Sequence, residues 1–318
     1  MTSQAENRKS SISLRVGTRG SNLALAQSHW VREKIEAKYP NVKVELVTIK
    51  TTGDKILDSP LSKIGGKGLF VKEIEDALLK NQIDVAVHSI KDVPAELPYG
   101  LCLSSFPERE DPRDALVSTG NKTLDKLPSG SKVGTSSLRR GAQLLNIRPD
   151  LRLVSLRGNV NTRLKKLESG DLQAIILATA GLRRLGFYDR ITQVIPSEQI
   201  LPAIGQGALG LEVRYNDKRT IDLLSFINHD ATEIEVKAER ALLKELKGGC
   251  QVPIAGFACV NDDNLRLQGL VAETDGTKVI RDEIAGERDQ AEEIGVTLAR
   301  RLLASGADSI LERIYNKT

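Results

Sequence analysis

Hydrophobic and polar positions repeat in a strand-then-helix pattern over the first two thirds of the chain. Short apolar runs rich in Val, Ile and Leu, each followed by an amphipathic stretch, predict buried strands that alternate with helices. The predicted strands are at residues 14–17, 42–49, 85–87, 115–118, 151–156, 174–177 and 211–213, with the clearest helices at 22–38 and 71–80. This alternation predicts an α/β fold.

The last third of the chain has a different pattern. Residues 232–246 predict an amphipathic helix that ends at Gly248 and Gly249. Three strands and a covering helix follow, with an Asp275-Gly276 turn between the last two strands, at 254–260, 265–273, 277–284 and 289–303. We therefore expect a small C-terminal α+β domain, a three-stranded sheet covered by helices.

Two segments predict crossings between lobes. The stretch FPEREDP at 106–112 is dense in charge and proline, which is typical of an interdomain linker, and glycine-rich residues 205–210 predict a return. Two α/β lobes joined by two crossovers form a hinged fold that holds its ligand between the lobes. The predicted domains are domain 1 (1–107 and 204–228), domain 2 (108–203) and domain 3 (229–318).

Composition narrows the function. The 318-residue chain carries 46 Lys and Arg against 42 Asp and Glu, a formal charge of +4. So balanced a charge excludes nucleic-acid binding through overall charge, and 3% aromatic residues leave little material for stacking bases. No apolar run is long enough to span a bilayer and the polar N-terminus has no signal-peptide core, so a cytoplasmic protein is predicted. Three cysteines predict reduced thiols rather than a disulfide framework.

Polar chemistry begins where the predicted strand at 85–87 ends. His88, Ser89, Lys91 and Asp92 follow it directly. Because ligands of α/β sheets bind beyond the carboxyl ends of strands, Lys91 and Asp92 are candidate functional residues. A solvated loop whose charges face water is the alternative at this point.

The first predicted strand leads through Arg19 and Ser21 into a helix, whose free N–H groups favour anions. A capped helix with a surface arginine is the plainer alternative. A glycine-rich segment further along the chain carries Lys63, Lys67 and Phe70. Because it lacks the Walker spacing and its Ser/Thr, we reject a nucleotide site there and expect a mobile flap over an anionic ligand.

In the second predicted lobe, each strand passes into a helix through small or hydroxyl residues, and each junction carries arginine. The hydroxyls and arginines at these junctions are Thr135, Ser137, Arg139, Arg140, Arg157, Arg163 and Arg184. Since several strand ends share this chemistry, we expect guanidinium groups to converge on one anion-binding cleft rather than to decorate a surface.

The three cysteines differ in context. Cys102 and Cys259 lie in apolar strands and are predicted to be inert core residues. Cys250 follows a double glycine in a loop near Lys247, which suits a reactive thiolate, although a lone loop cysteine is often incidental. No metal site is predicted because the histidines are scattered, at His29, His88 and His229.

Seven stretches together resemble the porphobilinogen deaminase family, also called the hydroxymethylbilane synthase family. They are TRGSNLALAQ (18–27), GGKGLFVKE (65–73), AVHSIKDVP (86–94), GTSSLRR (134–140), SLRGNVNTRL (155–164), LPAIGQGALG (201–210) and LKGGCQVP (246–253). The resemblance extends from about residue 14 to the C-terminal helix, with no departure at a position expected to be functional.

The resemblance implies three domains, two of them like the lobes of periplasmic binding proteins, and a dipyrromethane cofactor joined through a thioether to Cys250. It implies a transferase of tetrapyrrole (porphyrin, heme) biosynthesis that condenses four porphobilinogen molecules head to tail onto this primer. Each porphobilinogen loses ammonia to give an electrophilic azafulvene, which the free α-carbon of the bound chain attacks, and hydrolysis releases hydroxymethylbilane. A monomer that contacts neither nucleic acid nor membrane is expected.

The same resemblance implies roles for individual residues. The implied catalytic residues are Asp92, Lys91 and Arg19. The implied cofactor-binding residues are Cys250, Lys91, Asp92, Thr135, Ser137, Arg139, Arg140, Arg163, Arg184 and Ser89. The implied substrate-binding residues are Arg19, Ser21, Arg157, Gln206, Lys63, Lys67 and Phe70. Asp92 is expected to be ionised and to stabilise positive charge as ammonia departs.

Two other functions compete with this one. A non-enzymatic two-lobe anion-binding protein fits the lobes and arginines equally well, but gives no role to Cys250 or to an acid among cations. A nucleotide-dependent enzyme is a more distant alternative because no complete phosphate motif is present. A pyrrole covalently attached to the purified protein distinguishes the enzyme from the binding protein.

Overall fold

The computed structural model describes residues 12–55, 68–249 and 252–316. Its strands are β1 (Ile12–Thr18), β2 (Val42–Thr48), β3 (Val85–Ser89), β4 (Leu101–Ser105), β5 (Asp114–Ser118), β6 (Lys132–Gly134), β7 (Arg152–Val154), β8 (Ala174–Ala178), β9 (Gln193–Val194), β10 (Leu209–Arg214), β11 (Ile254–Asn261), β12 (Asn264–Ala272) and β13 (Val279–Glu287). Its helices are α1 (Asn22–Lys38), α2 (Thr52–Lys55), α3 (Lys72–Leu79), α4 (Leu138–Ile147), α5 (Val160–Glu168), α6 (Thr179–Arg184), α7 (Lys218–Leu224), α8 (Asp230–Glu245), α9 (Ala291–Leu302) and α10 (Asp308–Tyr315).

The first two sheets form the two α/β lobes. The first has the strand order β2-β1-β3-β10-β4, and the second has the order β7-β6-β8-β5-β9. Neighbouring strands are parallel except around β10 in the first sheet and β5 in the second, which are antiparallel to both neighbours. β5 and β10 are also the strands by which the chain enters each lobe from the other. The two crossovers are residues 106–113 and 195–208, which precede these strands.

Residues of β5 and β8 alternate between two hydrophobic cores, one on each face of the second sheet. Leu116 and Ile176 pack in one core, while Val117 and Ile175 pack in the other. A strand with helices on both faces must be apolar at every position, which explains the unbroken apolar runs in the sequence.

The third domain is an antiparallel sheet in the order β11-β12-β13. Its core contains Leu242 of α8, Leu267 of β12 and Leu298 of α9, so the two helices pack on the sheet. The predicted fold class, two α/β lobes and a small α+β domain, is confirmed.

Most differences from the predicted elements have local causes. β7 covers only three residues of the strand predicted at 151–156, because its partner β6 is three residues long. α10 was not predicted and follows α9 after a break at Gly306, whose φ is 98°. Cys102 and Cys259 are half-buried rather than core residues, and burial raises the pKa of both thiols.

One buried carboxylate joins the second lobe to the return crossover. Asp114, the first residue of β5, is 0% exposed and accepts hydrogen bonds from Arg139 Nη1 (2.7 Å) and Arg140 Nη2 (2.7 Å) of α4. Gln206 Nε2, in the return crossover, donates to the same carboxylate at 2.8 Å. Burial disfavours the charged form, yet the two guanidinium groups hold the pKa of Asp114 well below its usual range.

A second buried carboxylate joins both crossovers to the third domain. Arg109, in the first crossover, donates from Nη1 (2.7 Å) and Nη2 (3.1 Å) to Glu239 of α8. Glu239 also accepts from the backbone nitrogens of Gly205 (2.6 Å) and Ala258 (2.8 Å), in the return crossover and β11. The three domains therefore meet around two ion pairs that are shielded from water.

We predict that Asp114→Asn lowers the free energy of unfolding by about 3–5 kcal/mol, because it leaves two buried guanidinium groups without a charged partner. Urea unfolding followed by circular dichroism measures the change. Asp282→Asn is the matched control, since the Asp282–Arg301 pair (2.7 Å) has side chains 26% and 48% exposed. We expect the control to lose about 1 kcal/mol or less. Equal losses in the two variants would contradict the structural role of Asp114.

Candidate active site

The parallel strands β1 and β3 of the first lobe end at the same edge of their sheet. A pocket there lies between the N-terminal ends of α1 and α3, and a 3₁₀ turn at Ile90–Asp92 closes one side. The polar and aromatic side chains that line it include Arg19, Ser21, Gln27, Phe70, Ser89 and Asp92. Four of the predicted site residues from separate parts of the sequence, Arg19, Ser21, Phe70 and Asp92, are thus brought together in the first lobe.

Local contacts fix the α1 side of the pocket. Ser21 caps α1 and accepts a hydrogen bond from the Ala24 nitrogen at 3.3 Å. The Arg19 guanidinium lies 4.2 Å from the centre of the Phe70 ring, a cation–π contact that orients both groups. Ser89 exchanges hydrogen bonds with the Gln27 amide, at 3.0 Å and 3.3 Å. These contacts hold donors and a cation at the start of a 17-residue helix, where N–H groups attract anions.

Lys91 and Asp92 occupy the turn that follows β3. The turn is packed tightly against the return crossover, since a Cβ at Gly205 (φ 68°) would lie 2.3 Å from Ile90 and 3.1 Å from the Lys91 nitrogen. Neither the Lys91 nor the Asp92 side chain makes a hydrogen bond or ion pair with any residue that the structure describes. Burial, opposed by Asp92 and reinforced by Arg140, lowers the pKa of Lys91 to about 8.

Arginines of the second lobe lie close to this turn. Arg163 is half-buried on α5 and its Nε donates to the Gly158 carbonyl oxygen at 2.8 Å. Burial and the charges of Arg140 and Arg157 lower the pKa of Arg163 to about 10, while Asp92 opposes the shift. Asp92 of the first lobe is therefore close enough to act electrostatically on a cation of the second. Arg157 is half-buried and forms no hydrogen bond within the described residues.

Arg139, Arg140 and Gln206 lie deeper than the sequence suggested. Arg139 and Arg140 are 5% and 6% exposed, and Gln206 is 1% exposed. Arg140 donates from Nε and Nη2 to Asp114 and from Nη1 to the Ile176 carbonyl oxygen, so every guanidinium nitrogen has a protein acceptor. The charges of Arg139 and Arg140 nevertheless act on the turn, because both lower the pKa of Lys91. Their direct contact with a ligand stays a prediction.

The other predicted residues are distributed as follows. Arg184 donates from Nη2 to the Gly207 carbonyl oxygen at 2.7 Å, and burial lowers its pKa to about 10 although Glu110 opposes the shift. Ser137 caps α4, and the Thr135 hydroxyl accepts from the Ser137 nitrogen at 3.2 Å. The predicted residues that lie outside the described parts of the chain are Lys63, Lys67 and Cys250.

Sequence reasoning missed a buried charged cluster beneath the pocket. His88 Nε2 lies 2.8 Å from Glu212 Oε2, and the two residues are 4% and 0% exposed. Glu75 of α3 is 6% exposed, and burial together with the charge of Glu212 raises its pKa to about 7. The sequence feature that could have revealed this cluster is Glu212, an acidic residue within the apolar strand LGLEVR.

The described residues contain neither a metal-binding cluster nor a membrane-spanning helix. Over 12–55, 68–249 and 252–316, no three His, Cys, Asp or Glu side chains are grouped so as to hold a metal ion. Within the same residues, no helix combines the length and apolar character needed to cross a membrane.

These features define a two-lobed protein with a pocket at the strand ends of its first lobe, where the Asp92 carboxylate lies near cations of both lobes, an arrangement that suits an anionic ligand. Family models agree with this class. "Porphobilinogen deaminase, dipyromethane cofactor binding domain" matches residues 14–222, and "Porphobilinogen deaminase, C-terminal domain" matches residues 233–304.

Curated relatives match over nearly the full chain. The porphobilinogen deaminases of Geobacter metallireducens and Geobacter sulfurreducens are each 55% identical over 304 residues, covering 96% of this chain and 95% of the relative. Among solved structures, the methionine-binding protein MetQ is similar over 68% of this chain and 89% of its own, with 16% identity and a TM-score of 0.43. The chain belongs to the porphobilinogen deaminase family. It is a transferase of tetrapyrrole biosynthesis, and the family's covalently bound cofactor is dipyrromethane.

We predict that Glu75→Gln changes how stability depends on pH. The folded protein keeps the Glu75 proton up to about pH 7, whereas the unfolded chain releases it near 4.5, so the wild type loses stability as pH rises through this interval. The glutamine cannot titrate. The free energy of unfolding of the variant, relative to wild type, should therefore increase from pH 4.5 to 7 and level off above.

Urea unfolding at a series of pH values measures this difference. Glu33→Gln, at an exposed position of α1, is the control and should give a nearly constant difference over the same interval. A constant difference for Glu75→Gln as well would show that Glu75 is ionised in the folded protein throughout.

Proposed function

We propose that the cleft above β1 and β3 is the site at which this protein condenses porphobilinogen, and that Asp92 is its central carboxylate. The observation that carries the proposal is the meeting of two unpaired groups of the first lobe, Lys91 and Asp92, with Arg163 of the second. A half-buried lysine and carboxylate without hydrogen-bond partners among the described residues indicate a site that a ligand completes.

The chemistry of the cleft fits a dipyrromethane primer. When bound, this group supplies the nucleophilic pyrrole carbon on which the chain is extended. Its acetate and propionate side chains require cations, and Lys91, Arg157 and Arg163 are half-buried cations on both sides of the cleft. We propose that Thr135, Ser137, Ser89 and Arg184 add donors to this part of the site, that Arg139 and Arg140 reinforce it, and that Cys250 carries the thioether.

The incoming porphobilinogen also carries two carboxylates, and we propose that the α1 side of the pocket binds them. Arg19 and Ser21 lie at the start of α1, where the helix dipole and free N–H groups favour anions. Phe70 holds the Arg19 guanidinium by stacking. We further propose that Lys63 and Lys67 cover the bound anion, and that Arg157 and Gln206 contribute from the other side of the cleft.

Asp92 then has an electrostatic role. The substrate ammonium arrives protonated, so ammonia can leave without a proton from the enzyme, and positive charge remains on the pyrrole. An ionised Asp92 beside that ring stabilises the charge, while surrounding cations hold the carboxylates of the ligand away from it. Lys91 balances the charge of Asp92 between cycles.

The proposal also covers the oligomeric state, the location, the domain bounds and the product of the protein. The protein is proposed to act as a monomer in the cytoplasm, where Cys102 and Cys259 remain free thiols. The domains are proposed to comprise residues 1–107 with 204–228, 108–203, and 229–318. Four condensations followed by hydrolysis release hydroxymethylbilane.

We predict that Asp92→Asn cuts turnover by roughly a hundredfold or more, since it removes one strong charge contact and preserves shape. Asp92→Glu should keep measurable activity because the charge survives at a displaced position. A single-turnover assay of ammonia release measures both variants. If Asn released ammonia as fast as Glu, the charge-stabilising role would be wrong, and wild-type rates in both would mean that the reaction occurs elsewhere.

We predict that the denatured wild-type protein is heavier than its sequence by one dipyrromethane unit and that Cys250→Ser lacks this mass. Intact-protein mass spectrometry measures the adduct directly. Cys259→Ser is the matched control, because that half-buried thiol lies in the same domain and should leave the adduct in place. An unmodified, fully active wild type would instead favour a non-covalent primer, and an unmodified, inactive one would favour the anion-binding protein.

A further inference from the structure

His88 occupies a special position between the pocket and the interior. It is the next-to-last residue of β3, four residues before the turn ends at Asp92, and both residues line the same pocket. Its Nε2 lies 2.8 Å from Glu212 Oε2, while Nδ1 has no hydrogen-bond partner among the described residues. One ring nitrogen thus contacts a buried acid, and the other has no hydrogen-bond partner among the described residues.

The register of the first sheet creates this pair. β10 is antiparallel to β3, with Gly210 opposite His88 and Glu212 opposite Ala86, so His88 and Glu212 are diagonal neighbours on one face. Glycine at 210 leaves room there, since a Cβ would lie 2.3 Å from the Ile90 side chain. The His88–Glu212 pair therefore depends on β10, the strand that follows the return crossover from the second lobe.

Charged groups surround the pair on each packed element. Glu75 faces it from α3, and Arg240 of α8 and Cys102 of β4 also lie near Glu212. Burial lowers the pKa of Arg240 although Glu212 opposes the shift, whereas burial and the charge of Glu212 together raise the pKa of Cys102. Asp92 and Arg19 border the pocket side. Glu212 Oε1 and Glu75 Oε1 are buried and lack hydrogen-bond partners within the described residues. Glu212 and Glu75 thus stand behind the imidazole with one oxygen each lacking a partner, and Glu212 is the acid that the ring contacts.

The reaction requires a proton acceptor at this place. In each condensation a carbon–carbon bond forms between the methylene carbon of one unit and the free α-carbon of the pyrrole ring that precedes it. The carbon–nitrogen bond to ammonia breaks, and the α-carbon then loses its proton so that its C–H electron pair restores the aromatic ring. Ammonia and one proton are released per cycle. Asp92, placed among cations to stay ionised, is a weak acceptor.

We propose that His88, oriented by Glu212, accepts the proton that the α-carbon loses in each condensation. This inference rests on the proposed location of the reaction in the cleft. An ionised carboxylate only accepts hydrogen bonds, so Glu212 fixes the neutral ring with its proton on Nε2 and leaves Nδ1 as the acceptor. The imidazolium that forms is stabilised by Glu212, and it returns the proton to departing ammonia or to water. Glu212 and Glu75 are positioning residues.

The first test does not depend on turnover. Long-range ¹H–¹⁵N NMR of the purified holoenzyme, with His88 assigned by comparison with His88→Asn, should reveal the Nε2–H tautomer above neutral pH. In Glu212→Gln the tautomer preference should shift toward Nδ1–H, because the amide can donate to Nε2. A wild-type ring protonated on Nδ1 would overturn the proposal, as would a tautomer that is indifferent to Glu212→Gln.

The second test follows the C–H bond. His88→Asn should slow condensation by about a hundredfold or more, the usual contribution of a general base. With porphobilinogen deuterated at its free α-carbon, single-turnover rates should show a larger isotope effect in His88→Asn than in wild type, because proton loss has become limiting. Glu212→Gln should lose less activity and show an intermediate isotope effect.

His229→Asn is the matched control, since His229 Nδ1 caps α8 by accepting from the Thr232 nitrogen at 3.4 Å and does not line the pocket. It should leave both rate and isotope effect unchanged. A merely structural His88 would slow both isotopic substrates equally, which would refute the proposal. If His88→Asn does not fold, the isotope effect of Glu212→Gln decides. If these tests fail but Asp92→Asn slows turnover, the role of His88 is wrong and the proposed active site stands. If Asp92→Asn keeps the wild-type rate, the proposed location of the active site is wrong.

Discussion

The relative position of the lobes depends on the buried ion pair network at Asp114. This carboxylate begins the strand that enters the second lobe, and it binds two guanidinium groups of α4 and the Gln206 amide of the return crossover. Without these partners a carboxylate at 0% exposure would be prohibitively costly. The same return crossover packs Gly205 against the turn at Lys91. The network therefore determines where the turn at Lys91 and Asp92 of one lobe lies relative to the cations of the other.

Arginine has two distinct tasks in this cleft, which burial separates. Arg140 is saturated with protein acceptors and acts on the site through its charge, as the lowered pKa of Lys91 indicates. Arg157 and Arg163 are half-buried and keep donors for a ligand. Arginines without a carboxylate partner would repel one another in such a cleft. Asp114 instead pairs with two of them, Arg139 and Arg140, and holds them in the interior.

The sequence predicted elements and fold class well because periodicity and strand-end chemistry are local signals. α1 has the predicted bounds, and Arg19, Ser21 and Asp92 meet as strand-end residues should. The depth of Arg139 and Arg140 was not predictable, since their partner Asp114 looks in sequence like any charged residue of a linker. Likewise, the His88–Glu212 pair requires knowing that a strand 124 residues away inserts beside β3. What sequence alone could not supply is thus the pairing of distant polar groups.

The electrostatics of the cleft couple ligand binding to stability. Lys91 and Arg163 both have lowered pKa values in the unliganded protein because they are buried and because other cations are near. A ligand carboxylate beside Lys91 or Arg163 offsets the repulsion from the other cations. The ligand therefore binds more tightly when these groups are protonated, and its binding stabilises the folded lobes. Each added pyrrole unit brings two further carboxylates, and the available cations are limited. Under the proposed function, the capacity of the cleft for a growing polyanion depends on the arginines that remain outside the Asp114 network, and therefore on the same buried carboxylate that joins the lobes.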